Sequence, residues 1–386
     1  MTGTVQEFRV RVPEESLADL RRRLRDTRWP EPATTPGWTQ GVPLDHLQDL
    51  CAYWADGYDW RRLEEEWAAL EQYRVAVDGL GVHVLRATSP HPGALPLVLT
   101  HGWPGSVVEF LDLVGPLTDP PAHGGRAEDA FTVVLPSLPG YGFSDKPRET
   151  GWGIRRIAAA WDEIMRALGH ERYLAAGSDW GTSVSTCLAQ AAPDRVAGIH
   201  LIPPLAGPGD FSPEEFTAAE RRATADLEQR GRDGSAYSAV HATVPQTIGY
   251  SLVDSPAGLC AWLVEKFWTW ADHDGDLYEV ISRDRLLDDV TLYWLTRSGA
   301  SSARLYRESI AEVSSWFTRG TTETVDVPAG CSIFPSEVPR PSRRWAEQRF
   351  PDIRYWAEHG RGGHFAALEQ PALLVGDLRA FARLVR

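Results

Sequence analysis

Lysine is almost missing: Lys146 and Lys266 are the only two among 39 basic residues, a codon-usage bias that carries no chemistry. Cysteine is scarce as well. Cys51, Cys187, Cys260 and Cys331 lie far apart and never form C-x-x-C, which argues against a zinc site or a disulfide framework and fits free thiols in a reducing cytosol. No uninterrupted apolar run approaches the roughly 20 residues that a spanning helix needs. The chain runs from Met1 into Phe8-Arg-Val-Arg-Val-Pro13 without a basic segment followed by an apolar one, so the expectation is a cytoplasmic protein with no signal peptide and no membrane anchor. An excess of positive charge is also lacking. At a formal net charge of -14 the chain would repel phosphate backbones and anionic lipid, which excludes nucleic acid as a partner. What remains is ordinary globular composition: 386 residues, 43% hydrophobic and 24% charged. That is enough for one large domain with additions, or for two to three domains.

Leu17, Leu20 and Leu24 recur at helical spacing, Trp29-Pro30 stops that segment, and two more helical stretches follow to about residue 70. An all-helical N-terminal arm is therefore expected over 1–72. From Val75 the apolar period changes to two, and Val75, Val77, Gly79 to Gly81, Val82 and Val84 read as a hairpin. Short apolar runs then alternate with helical stretches: 97–100, 131–135, 173–176, 197–202, 329–334 and 353–356. This is the pattern of a mostly parallel sheet wrapped by helices. Residues 205–318 interrupt it with helical segments only. One of them spans 256–270, with Asp254 or Ser255 as N-cap and Pro256 in the first turn. The expected organisation is an α/β core over 73–204 and 319–386, with a helical cap inserted over 205–318.

The most informative segment is Tyr173-Leu-Ala-Ala-Gly-Ser-Asp-Trp-Gly-Thr182. An apolar strand runs through Gly177-x-Asp179-x-Gly181 into a small-residue helix start, the layout of the nucleophile elbow of α/β-hydrolases. Ser178 is one position too early to be the nucleophile. An aspartate at the centre can displace a leaving group at saturated carbon and form an alkyl ester; the plain alternative is a helix N-cap on a structural loop. Thr100-His-Gly-Trp-Pro-Gly-Ser106 follows another strand, where this fold builds half of an oxyanion hole. The backbone N–H groups of Trp103 and Trp180 are the expected donors. A base is needed downstream. Gly360-Arg-Gly-Gly-His364 supplies a histidine on a glycine-rich loop after a strand, a setting that His83, His91, His241 and His273 lack. The acid belongs between nucleophile and base, at a strand end, where Glu337 stands in Phe334-Pro-Ser-Glu337; Asp352 and Glu358 rank below it.

These segments together resemble the microsomal-type epoxide hydrolases, a family that includes juvenile hormone epoxide hydrolases and soluble bacterial and fungal members. The resemblance covers nearly the whole chain: the N-terminal arm with Trp29-Pro30 and Gly57-Tyr-Asp-Trp60, His101-Gly-Trp-Pro-Gly105, Gly177-Ser-Asp-Trp-Gly181, Phe334-Pro-Ser-Glu337 and Gly362-Gly-His-Phe-Ala-Ala-Leu-Glu369. The chain departs from the membrane-bound members in lacking a hydrophobic anchor ahead of the arm. The resemblance implies two cap tyrosines that hold the epoxide oxygen, matched here by Tyr237 and Tyr306. Either could instead be a core residue, with Tyr250 and Tyr293 as the competing identities. It further implies a small-molecule epoxide and water as the only partners, a vicinal diol as product, and no metal or organic cofactor. Assembly into homodimers stays open. Trp262, Trp268, Trp270 and Trp294 in the cap suggest a bulky apolar or aryl epoxide, although tryptophans pack cores equally well. Some bacterial relatives act on aryl epoxide precursors of enediyne antibiotics, a role to set beside detoxification. Two rivals remain: a haloalkane dehalogenase-like hydrolase with the same aspartate, and a catalytically silent receptor on the same fold.

Overall fold

Runs of β-branched and other apolar residues form the centre of the molecule. In the computed structural model, which describes residues 3–386, nine strands make one sheet. They are β1 (Val5–Glu7), β2 (Glu71–Val77), β3 (Leu80–Ala87), β4 (Leu95–Thr100), β5 (Phe131–Pro136), β6 (Tyr173–Ser178), β7 (Val196–Ile202), β8 (Ala329–Ile333) and β9 (Ile353–Glu358). The order is β1-β2-β3-β5-β4-β6-β7-β8-β9. β2 and β3 form the expected hairpin about Asp78-Gly79, with Val75 opposite Val82, and β3 runs antiparallel to β5. From β5 to β9 every pairing is parallel. β5, β6 and β7 are buried at each position, which is why they read as continuous apolar runs rather than alternating ones. This is the α/β-hydrolase architecture.

The order of the strands places the site. β4 lies between β5 and β6, and Thr100 pairs with Gly177. The loops leaving the carboxyl ends of β4 and β6 therefore start side by side, where open α/β sheets bind ligands.

The N-terminal segment holds the helices Glu14–Arg25, Leu44–Asp56 and Trp60–Ala68, but it is not all-helical as the periodicity predicts. Its first described element is β1, an edge strand that pairs antiparallel with β2, Val5 opposite Val75. Three exposed residues are too few for a readable alternation, and backbone pairing to β2 rather than side-chain burial makes the strand. The first helix ends at Arg25, before Trp29-Pro30, with the Asp26 N–H returning to the Arg22 carbonyl.

Between β7 and β8 the longer elements are all α-helices: Ala218–Asp233, Ala236–Thr243, Pro245–Asp254, Pro256–Trp270, Arg283–Leu295 and Gly299–Thr318. The N-cap of Pro256–Trp270 is Ser255, whose hydroxyl accepts from the Gly258 N–H. The N-terminal helices clasp this insertion through buried polar contacts. Trp54 Nε1 donates to Thr291 Oγ1 at 2.8 Å and the Tyr58 hydroxyl to Asp288 Oδ1 at 2.8 Å, while Trp38 stacks on Trp268 with centroids 4.1 Å apart. Among the described residues no helix is long and apolar enough to cross a membrane. All four cysteines are buried and free.

Candidate active site

The turn from β6 into the helix Trp180–Ala191 can be this sharp only because two residues lack side chains. A Cβ on Gly177 would come within 2.5 Å of the Gly181 backbone, and one on Gly181 would run into the Thr100 carbonyl. Asp179 sits between them at φ 52° and ψ -121°, a region that costs a non-glycine residue strain of order 1–3 kcal/mol. The strain aims the carboxylate out of the sheet toward the loop after β4. There Asp179 Oδ1 accepts from the Trp103 N–H at 2.8 Å, and the Trp180 N–H faces the same group.

His364 and Glu337 arrive from the ends of β9 and β8. His364 Nε2 lies 3.7 Å from Asp179 Oδ2, and its Nδ1 lies 2.8 Å from Glu337 Oε2. The remaining Glu337 oxygen accepts from the Val338 N–H at 2.7 Å. The lower-ranked acids face elsewhere: Asp352 pairs with Arg354 and Glu358 accepts from Trp356 Nε1. Burial alone would depress the His364 imidazolium, but the Glu337 charge and hydrogen bond and the Asp179 charge reverse this and hold His364 above its ordinary value. Burial pushes Asp179 up, against the pull of His364 and the two backbone N–H groups.

Tyr237 and Tyr306 close the site from above, on the helices Ala236–Thr243 and Gly299–Thr318. Their ring centroids are 5.7 Å apart. Tyr237 stacks on Trp103 at 4.9 Å, and Tyr306 meets Trp180 edge-on at 4.9 Å. Burial raises both phenols; Tyr237 reaches about 12, with the Arg230 charge pulling the other way. Tyr293 instead donates to the Gly105 carbonyl at 2.9 Å, and Tyr250 is 71% exposed, so neither competes for this position. His83 and His241 are buried and held neutral, each lowered to about 3 by burial. His91 pairs with Asp119, and His273 contacts the Trp268 carbonyl.

A cavity of about 270 Å³ joins Asp179, Trp180, Tyr237, Tyr306, Glu337 and His364. The tryptophans of the helical insertion do not line it. Trp268 is stacked on Trp38, Trp262 donates to His241 Nε2, Trp294 lies beneath Arg23, and Trp270 packs on His364. The apolar wall includes Trp180, Leu205, Leu227, Ile310, Val313 and Phe317. The reasoning from tryptophan content toward a bulky aryl ligand therefore loses its footing: these rings hold helices together.

Arg230 was not legible in the sequence. It stands in the last turn of the helix Ala218–Asp233, before Tyr237, and reaches into the cavity. Its Nη1 donates to the Val338 carbonyl at 3.1 Å and lies 4.0 Å from Glu337 Oε1, and its guanidinium sits 4.5 Å over the Trp270 ring. One cation thus faces the candidate acid and a cap phenol together. Beneath the loop after β4, burial raises the carboxyls of Glu109 and Asp289, Asp289 to about 8. At neutral pH Asp289 is therefore mostly protonated and adds little negative charge near Glu109.

Comparison with known proteins points to one family. The family described as "Epoxide hydrolase N terminus" matches residues 5–110, and the one described as "alpha/beta hydrolase fold" matches residues 96–260. A Stigmatella aurantiaca protein provisionally assigned as an epoxide hydrolase is 50% identical over 99% of this chain and 86% of its own length. Epoxide hydrolase 1 of Sus scrofa is 32% identical over 99% of this chain and 89% of its own. The crystal structure of Aspergillus niger epoxide hydrolase superposes with a TM-score of 0.87 at 31% identity, over the full chain and 97% of its own. The chain belongs to the microsomal-type epoxide hydrolase family, on the α/β-hydrolase fold.

Proposed function

We propose that this chain hydrolyses an apolar epoxide to a vicinal diol in two covalent steps, with the helices of 205–318 as the cap over the site. The observation that carries the reading is the asymmetry of the Asp179 carboxylate. Oδ1 is tied to the Trp103 N–H at 2.8 Å, while Oδ2 faces His364 Nε2 at 3.7 Å in the cavity. Oδ2 is therefore the nucleophile. It attacks an epoxide carbon, the C–O bond on the far side breaks, and the leaving oxygen takes a proton from Tyr237 or Tyr306. An unassisted alkoxide is too basic to leave, so phenols facing the nucleophile across the cavity supply the acid. The product is a hydroxyalkyl ester on Asp179.

Water then attacks the ester carbonyl carbon and gives its proton to His364 Nε2. Glu337, bonded to Nδ1, stabilises the imidazolium that forms. Negative charge accumulates on Oδ1, which already accepts from the Trp103 N–H with the Trp180 N–H facing the same carboxylate, a device that contributes about 10²- to 10³-fold in rate per donor. On collapse of the tetrahedral species the second proton of the added water passes to the leaving alkoxide, which releases the diol and restores the Asp179 carboxylate, and the imidazolium proton returns to the phenolate through water. The cavity volume lies at the small end of ligand pockets, and its wall mixes aliphatic side chains with the rings of Trp180, Tyr237, Tyr306 and Phe317. The volume favours a compact apolar epoxide over a large polycyclic one. A role on aryl epoxide precursors of enediyne antibiotics is carried by the sequence resemblance alone.

One turnover with enzyme in excess in oxygen-18 water, followed by mass spectrometry, tests the mechanism. Label is expected in the Asp179 peptide, and the first diol should carry unlabelled enzyme oxygen. Label directly in that first diol would refute the covalent step. Halide release from haloalkanes with no diol from styrene oxide would favour the dehalogenase rival instead.

A further inference from the structure

The loop that carries His364 has almost no structure of its own, so what holds it in place decides where the imidazole sits. Four consecutive backbone donors leave this loop for acceptors on three residues, Trp270 and Asp272 ahead of it and Glu369 beyond it. The Gly362 N–H goes to Asp272 Oδ2 at 2.7 Å, and the Gly363 N–H to Glu369 Oε2 at 2.9 Å. The His364 N–H goes to the Trp270 carbonyl at 3.0 Å, and the Phe365 N–H to Glu369 Oε1 at 2.9 Å. The N–H groups on either side of His364 therefore end on the two oxygens of one buried carboxylate.

Glu369 does more than close its own turn. Its Oε2 also accepts the Asp272 N–H at 2.7 Å, and Asp272 directly follows the cap helix Pro256–Trp270 and its C-cap Ala271. The Asp272 carboxylate then spans both halves of the acid-base pair. Oδ2 holds Gly362, and Oδ1 accepts from the hydroxyl of Ser336, the residue before Glu337, at 2.6 Å. The Ser336 N–H returns to the Gly362 carbonyl at 3.2 Å. The three N–H bonds favour the ionised carboxylate against the burial that raises Glu369 to about 7, and an amide in its place would turn its NH2 group toward one of the three donors. Neither Glu369 nor Asp272 lines the cavity or touches Asp179.

We propose that Glu369 is a positioning residue for the His364 base, and that through Asp272 it ties the placement of that base to the end of the cap helix. This rests on the reading of His364 as the base of ester hydrolysis. It follows that Glu369 governs the second chemical step and not the first, because the attack of Asp179 on the epoxide uses none of the groups it holds. A misplacement of about 1 Å in a reacting group costs on the order of 10²-fold.

The test is rapid-quench single turnover of Glu369→Gln, with Asp272→Asn and His364→Gln alongside, and the ester on Asp179 counted by intact-protein mass. The expected result is ester formation within about 2-fold of wild type and ester hydrolysis slowed about 10- to 100-fold, so that the ester accumulates. Glu369→Asp, which keeps the charge, should recover part of the hydrolysis rate. Equal slowing of both steps, or no slowing of hydrolysis, overturns the proposal. If Glu369→Gln does not fold, Asp272→Asn decides alone, since it loosens only the Gly362 and Ser336 contacts. The controls separate the two readings: failure of His364→Gln to accumulate ester sinks the base assignment, whereas accumulation there without accumulation in the Glu369 and Asp272 variants sinks only the positioning role.

Discussion

Replacing Arg230 by Met should move two titrations upward at once. Its guanidinium faces Glu337 at 4.0 Å and lines the same cavity as Tyr237 and His364. Its charge makes the Tyr237 phenol a stronger acid and disfavours the His364 imidazolium. At 4.0 Å and an effective dielectric of about 20, unit charges interact by about 4 kcal/mol, which is a ceiling. With 22% of the Arg230 side chain accessible, screening leaves about 0.7–1.4 kcal/mol on the groups beyond Glu337, or about 0.5–1 pH unit. The sign follows from the protonation states. As the proposed neutral base, His364 should make ester hydrolysis rise with pH through its pKa, and loss of the opposing cation raises that pKa. The acid limb should shift to higher pH by the stated amount. As the proposed protonated acid, Tyr237 becomes weaker, so ring opening should slow by up to about 3- to 10-fold at neutral pH. Stopped-flow and quench measurements of the two steps from pH 5 to 9 would show both effects, and Arg230→Lys should return the limb most of the way. A folded Arg230→Met enzyme whose acid limb stays still or moves down would refute the electrostatic argument.

Other consequences are independent of Arg230. Tyr237→Phe and Tyr306→Phe should each slow ester formation by about 10²-fold with ester hydrolysis little changed, and unaltered ester formation in both variants would remove the phenols from the mechanism. Gly181→Ala should lower stability by about 3 kcal/mol or more, because the added methyl meets the Thr100 carbonyl and neither backbone can yield; an unchanged urea midpoint would contradict this. Asp289 is raised by burial from 3.8 to about 8 in the folded chain. Between those values the folded state keeps a proton that the unfolded state has lost, so stability falls as pH rises across this window, by up to about 1.4 kcal/mol per pH unit from this group. Asp289→Asn should flatten the decline of Tm between pH 5 and 8, and an identical slope in the variant would count against a buried protonated carboxyl.

What the sequence determined by itself are the features whose causes are local. Gly177-x-Asp179-x-Gly181 after an apolar strand is legible because the turn sterically demands both glycines, whichever protein it sits in. The parallel core shows as continuous apolar runs because strands buried on both faces leave no polar positions. His364 and Glu337 could be picked out because strand ends followed by glycine- or proline-rich loops mark the carboxyl edge of such a sheet. Tertiary structure alone decided the rest. β1 exists through hydrogen bonds to β2 and has no side-chain pattern of its own. Trp262, Trp268 and Trp294 were ambiguous between wall and packing, since a buried indole has the same composition in either place, and the fold sent them to helix contacts. Arg230 and Glu369 belong to the site through partners distant in the chain, Arg230 with Glu337 and Glu369 with Asp272. Hydrogen bonds and Coulomb forces act over a few ångströms of space and ignore separation along the sequence, so such pairings become visible only when the chain has folded.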